Sequence, residues 1–128
     1  MVGRRFNENK LKPNLKMAMT RIQLATNKKV NTIKLQKREI AGYLLEGKEE
    51  KARIRVEAII RDDNAIEAYE ILELMCDLLS ERIAFISASE DCPAELKQAV
   101  HTLIWAATRV DIPELDEVKK QFRAFCGG

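Results

Sequence analysis

The stretch Ile40-Ala41-Gly42-Tyr43-Leu44-Leu45-Glu46-Gly47-Lys48-Glu49-Glu50-Lys51-Ala52 decides how this chain folds. Glu46-Gly47-Lys48 is the one tight connection between two long amphipathic segments. Gly47 can take positive φ and close the preceding helix as its C′ residue. A turn this short makes the two helices run back along each other as an antiparallel hairpin.

Upstream of the turn, residues 10–45 read as a single helix. Leu11, Leu15, Ala18, Ile22, Ile33, Ile40 and Leu44 fall within about 80° of one another at 100° per residue. Pro13 is tolerated only in a first turn, which puts the start between Asn9 and Lys12. Polar residues between Ala25 and Lys29 interrupt the stripe, and Asn31 and Thr32 are poor helix formers, so a kink is expected there. Met17, Leu24 and Leu35 make a second, partial apolar line away from the main one.

Downstream, a second helix is expected from Lys48 to about Ala88. Its apolar stripe starts with Ala52, Val56, Ile59 and Ile60 and resumes with Ile71, Met75, Leu78, Leu79, Ile83 and Ile86. Between these runs Asp62-Asp63-Asn64 is a weak segment at which the helix bends or breaks. After a loop, Pro93 reads as the N1 residue of a third helix with Leu96, Ala99, Val100, Leu103, Ile104 and Ala107 on its buried face. Asp111-Ile112-Pro113 opens a fourth that runs to about Phe125 and buries Leu115, Val118, Phe122 and Phe125. Its early acids and late bases match the helix dipole. Trp105 reads as a core anchor and Cys76 as a small buried hydrophobe.

Composition agrees with an all-α chain. The 128 residues are 46% hydrophobic and 33% charged, with only 5 Gly and 3 Pro, which suits one domain of long helices rather than a β-sandwich. No apolar run is long enough to span a bilayer. The single histidine, His101, and the scattered Cys76, Cys92 and Cys126 have no metal-ligand spacing and form no catalytic set. No catalytic, metal or cofactor-binding residues are expected, and no cofactor. Three separated thiols suit a reducing compartment, which points to a cytoplasmic protein.

Charge is the informative feature. Residues 1–45 carry eleven Lys/Arg against Glu8 and Glu39, a net +9, while residues 46–128 sum to −7. Such polarity along one domain points to an anionic partner for one face or to association of opposite faces. Lys10, Lys12, Lys16, Arg21, Lys28 and Lys29 are the candidate basic contacts, to an adjoining subunit or to an anionic membrane surface. Glu67, Glu70, Glu73, Asp77 and Glu81 form a candidate acidic docking strip, placed roughly opposite the face made by Ile71, Met75 and Leu78. The alternative is a small helical binder of nucleic-acid phosphates. The basic segment has no aromatic residues for base stacking, so no specific nucleic acid is expected.

The run Ala52-Arg53-Ile54-Arg55-Val56-Glu57-Ala58-Ile59-Ile60-Arg61-Asp62-Asp63-Asn64, followed by Glu67-Ala68-Tyr69-Glu70-Ile71-Leu72-Glu73-Leu74-Met75-Cys76-Asp77-Leu78-Leu79, resembles the signature of the Ist (increased sodium tolerance) family of ESCRT-III-like proteins. Cys92-Pro93-Ala94-Glu95-Leu96-Lys97, Leu103-Ile104-Trp105-Ala106-Ala107 and Ile112-Pro113-Glu114-Leu115 continue that pattern in order, and Phe6, Leu11 and Asn14-Leu15 fit its opening. The resemblance covers nearly the whole chain.

It implies an ESCRT-III-like fold, a long hairpin with shorter helices packed on it, over residues 1–128 as a single domain. It also implies a non-enzymatic role in membrane remodelling, endosomal sorting to multivesicular bodies and cytokinetic abscission. The partners it implies are ESCRT-III subunits of the charged multivesicular body protein class, further copies of the chain, and the ESCRT AAA ATPase, at the periphery of endosomal membranes. Family chains continue into a fifth helix and a tail bearing MIT-interacting motifs. This sequence stops at Cys126-Gly127-Gly128, so it is either a fragment or a chain that lacks those parts.

Overall fold

The computed structural model describes residues 8–89 and 91–126, which form five helices: α1 (Glu8–Leu45), α2 (Glu49–Glu81), α3 (Ile83–Ala88), α4 (Ala94–Ala107) and α5 (Glu114–Cys126). Phe6, the Phe125 side chain and Gly127-Gly128 lie outside the described residues. The architecture is the expected all-α hairpin. Gly47 takes φ 75°, the N–H of Lys48 donates to the carbonyl of Tyr43 at 2.8 Å, and the N–H of Gly47 to that of Leu44 at 3.1 Å. These are the paired bonds of a Schellman motif, and they satisfy the carbonyls that end α1.

α1 and α2 pack along their length. α5 lies on α1, α4 lies on α2, and α4 and α5 touch each other. α1 meets no residue of α4, and α2 none of α5. The result is two layers at the open end of the hairpin, α1/α2 and α4/α5, around one core. Leu11, Leu15, Ala18 and Ile22 of α1 supply it from one side, and Tyr69, Leu72, Cys76 and Leu79 of α2 join them. Leu96, Val100 and Leu103 of α4 and Leu115, Val118 and Phe122 of α5 close it.

The two expected weak points are not breaks. Both helices run straight through them, because the defects face each other: Lys29 Nζ, on the buried stripe of α1, lies 3.4 Å from Asp62 Oδ1 of α2. Two to three turns nearer the tip, Arg55 meets Glu39 at 3.3 Å. Each polar interruption is thus answered by an opposite charge across the hairpin. The actual break comes later, at Arg82, which leaves helical geometry (φ −104°, ψ 10°) and separates the short α3 from α2.

Three further expectations are corrected. The buried stripe of the later half of α2 is Tyr69, Leu72, Cys76 and Leu79, while Ile71 is exposed and Met75 and Leu78 are only partly covered. That half of α2 carries apolar residues around most of its circumference, so stripes about one residue apart read almost equally well. Near the tip Val56, Ile60 and Leu44 are exposed as well, since no third helix covers the hairpin there. Trp105 is 58% exposed and is no core anchor. It stands on the side of α4 away from Leu103, Ala106 and Ala107, which face the core. Cys92 is disulfide-bonded, so the inference of a reducing compartment from three free thiols does not stand on it.

Candidate partner-binding groove on the hairpin

The seam between α1 and α2 that α4 and α5 leave open is a charged groove. Two adjoining hollows of about 390 and 230 Å³ share Met19 and Asp77. Met19 and Leu74 give the groove its apolar floor. Glu70, Glu73, Asp77 and Glu81 of α2 line one wall, and Lys16, Thr20 and Gln23 of α1 the other. The corrected register of α2 explains the wall. With Leu72 and Cys76 inward, Glu73 sits at the seam and Glu70 and Asp77 stand at its rim.

Four of the five acids marked in the sequence therefore line one groove. Glu67, also exposed, lies a turn further along α2 outside it. Glu73 is held in place by Gln23, whose Nε2 donates to Glu73 Oε2 at 2.6 Å across the seam. Cys76 lies under this wall. Its burial, with Glu73 adding to it, pushes the thiol up to about 12.

The six marked cations divide into two sets. Lys10, Arg21 and Lys29 are engaged within the molecule: Lys10 with Glu117 of α5 at 3.9 Å, Arg21 with Glu114 of α5 at 2.8 Å, and Lys29 with Asp62. Glu114 is only 9% exposed, and its second oxygen, Oε1, is buried with no hydrogen-bond partner. A hydrogen bond from Gln121, with Lys10 and Lys120 nearby, holds the Glu117 carboxyl below its ordinary range. Lys12, Lys16 and Lys28 are exposed and make no ion pair among the described residues. Sequence periodicity found the cations, but pairings across long sequence separations were beyond its reach.

No group of three or more His, Cys, Asp and Glu side chains among the described residues is arranged to hold a metal ion. No helix among them is long and apolar enough to cross a membrane. His101 is exposed on α4. What the surface offers is a groove with an acidic wall on α2, a polar wall carrying Lys16 on α1 and an apolar floor, together with unpaired cations and exposed apolar side chains on α1.

A helical hairpin with a second pair of helices folded over its open end is an ESCRT-III-like fold. The family described as "Regulator of Vps4 activity in the MVB pathway" (Ist1) matches residues 12–127, and this chain belongs to that family. It is similar to an IST1-like protein of Dictyostelium discoideum, 44% identical over 125 residues, covering 98% of this chain and 34% of the relative. It is also similar to the vacuolar protein sorting-associated protein IST1 of Saccharomyces cerevisiae, 40% identical over 119 residues, covering 86% of this chain and 40% of that one. The chain thus spans between a third and two fifths of the length of these relatives. Among solved structures, the S. cerevisiae Ist1 N-terminal domain in complex with a Did2 MIM motif superimposes with a TM-score of 0.84 at 35% identity, over 93% of this chain and 68% of that one.

Proposed function

We propose that this chain is a non-enzymatic ESCRT-III-class regulator whose α1/α2 groove captures a helical segment of another ESCRT-III subunit of the charged multivesicular body protein class. The observation that carries this reading is the groove itself. One acidic wall, from α2, over Met19 and Leu74 suits an amphipathic helix with Leu or Met anchors on one face and Lys or Arg on the flank that meets α2. The similar yeast domain was crystallised with a Did2 MIM motif, which supports an occupant of that class. Holding such segments is one way a non-catalytic domain can govern when an AAA ATPase of the Vps4 kind engages a polymer.

Co-assembly is part of the same reading. Lys12, Lys16 and Lys28, with exposed Met17, Leu24 and Leu35, make α1 basic and apolar on its outer surface. Glu67, Glu70 and Asp77, with exposed Ile71 and Leu74, make the outer surface of α2 its complement. A contact between two different surfaces of like molecules does not close on itself and propagates as a filament. The biological setting is the cytoplasmic side of endosomes, in membrane remodelling, multivesicular-body sorting and cytokinetic abscission.

The test is fluorescence anisotropy with a labelled C-terminal MIM peptide of a Did2-type subunit. Glu70→Lys with Asp77→Lys, both exposed, should weaken binding by at least about tenfold while leaving helicity intact. Unchanged affinity would remove the groove from the account.

A further inference from the structure

We propose that the outer surface of the α4/α5 layer is a docking face for an anionic phospholipid bilayer, with Trp105 seated at headgroup level. This goes beyond partner capture and uses the opposite side of the molecule. Gln23 faces the groove through Glu73, whereas Arg21, two residues and about 200° away on α1, faces α5 through Glu114. The groove and the α4/α5 layer therefore lie on opposite sides of the hairpin, and one molecule can engage both partners together.

Electrostatics gives the layer its sign. Residues 94–126 hold five cations (Lys97, Arg109, Lys119, Lys120, Arg123) and five acids. Three of the acids face cations outside the layer: Glu95 meets Arg82 at 3.7 Å, Glu114 meets Arg21, and Glu117 meets Lys10 while also lying near Lys120. Asp111 and Asp116 are the remaining acids, and Lys97, Arg109, Lys119 and Arg123 form no ion pair among the described residues. Asp91 stands ahead of α4, about three turns from Trp105. On α5, helical periodicity puts Lys119 and Arg123 on the flank away from Glu117 and Gln121.

Shape and chemistry give the occupant. The exposed face of α4 carries Lys97, His101 and Trp105 along a shallow hollow of about 500 Å³ that, among the described residues, α4 alone lines. Trp105 is 58% exposed, and the Arg109 guanidinium lies 3.8 Å from its ring centroid while donating to the Trp105 carbonyl and to Thr108 Oγ1, each at 3.1 Å. A tryptophan clamped outward beside unpaired cations on an open face suits the interface of an acidic bilayer. Cations beside such a surface add to its attraction, and salt screens it.

Trp105 is the only tryptophan in the chain, so it reports its own environment. The protein is titrated with vesicles of phosphatidylcholine, with and without phosphatidylserine, and with bromine-labelled acyl chains. The proposal expects a blue shift and bromine quenching with the acidic vesicles only. It also expects Lys97→Glu with Arg109→Glu to lower partitioning by at least about tenfold. Trp105→Ala should lower it too, and both variants should keep groove binding of the MIM peptide, which separates this proposal from the one above. Three results each overturn it: vesicle binding without a change in Trp105 emission, partitioning unaffected by the double reversal, or a shift produced by an acidic peptide but not by vesicles.

Discussion

Arg21 Nε donates to Glu114 Oε2 at 2.8 Å, tying the middle of α1 to the first turn of α5 across 93 positions of sequence. Glu114 is the one buried charged residue among those described, and its other oxygen has no partner. Among the described residues Arg21 is the cation paired with that charge, and the contact adds to the burial of Leu115, Val118 and Phe122 in holding α5 on the hairpin.

Arg21→Met should therefore destabilise the domain by about 1–3 kcal/mol, the cost of leaving a buried acceptor unmatched. Lys12→Met, at an exposed unpaired site, should change stability by about 0.5 kcal/mol or less. Urea titration measures both. Hydrogen exchange should rise in residues 114–126 before it rises in α2, and uniform loosening of all helices would show that the contact is not local to α5.

The Lys29–Asp62 pair predicts a different pattern. Asp62→Ala strands a half-buried ammonium in the hairpin and should cost about 1–3 kcal/mol, whereas Lys29→Leu combined with Asp62→Leu should be close to neutral or stabilising. A double-mutant cycle measures this. Equal losses in the single and double variants would mean that the two residues do not compensate each other.

Cys76 makes a prediction about alkali. Its thiol is pushed up to about 12 in the folded state, against about 8.5 in an unfolded chain. The native state keeps a proton that the unfolded state releases, so stability falls as pH rises above about 8.5, with a slope approaching 1.4 kcal/mol per pH unit until the folded thiol titrates. Cys76→Ala should lose this slope while costing some packing. Iodoacetamide at pH 8.5 should leave Cys76 unlabelled in the native protein and label it in urea, as read by mass spectrometry of its peptide.

Assembly should depend on the cations that the fold leaves unpaired. Lys16→Glu with Lys28→Glu should abolish sedimentable filaments at low salt and leave the melting temperature within a few degrees of wild type. Because Arg21 also pins α5, its reversal would confound polymerisation with unfolding. Wild-type filaments should thin out as salt shortens the screening length from about 10 Å at 0.1 M. Filaments indifferent to both changes would point to an apolar contact instead.

How far the sequence could be read depended on whether the deciding interactions are local. The hairpin turn was legible at Gly47 because a Schellman ending needs only neighbouring residues. The faces of α4 and α5 were legible because their apolar residues sit on one side. The later stripe was right at Leu79, Ile83 and Ile86 but misplaced at Ile71, since apolar residues surround that part of α2 and only contact with α1 and α4 selects Leu72 and Cys76. The kink expected between Ala25 and Lys29 and the bend or break expected at Asp62-Asp63-Asn64 interrupt neither helix, and Lys29 meets Asp62 across the hairpin at a separation of 33 residues that periodicity does not report. Trp105 was assigned by residue type, although its spacing from Leu103 already placed it on the other side of α4. For the site, the acids were legible as a strip but not as a groove wall, because Met19 and Gln23 complete it from another helix.

The most direct measurement of the central claim is the hydrogen-exchange footprint of the intact chain with and without a saturating Did2-type MIM peptide. Occupation of the groove predicts slowed exchange in residues 16–23 of α1 and 70–81 of α2, with α4 unchanged. Protection confined to α4 and α5, with the α1/α2 seam unaffected, would contradict it.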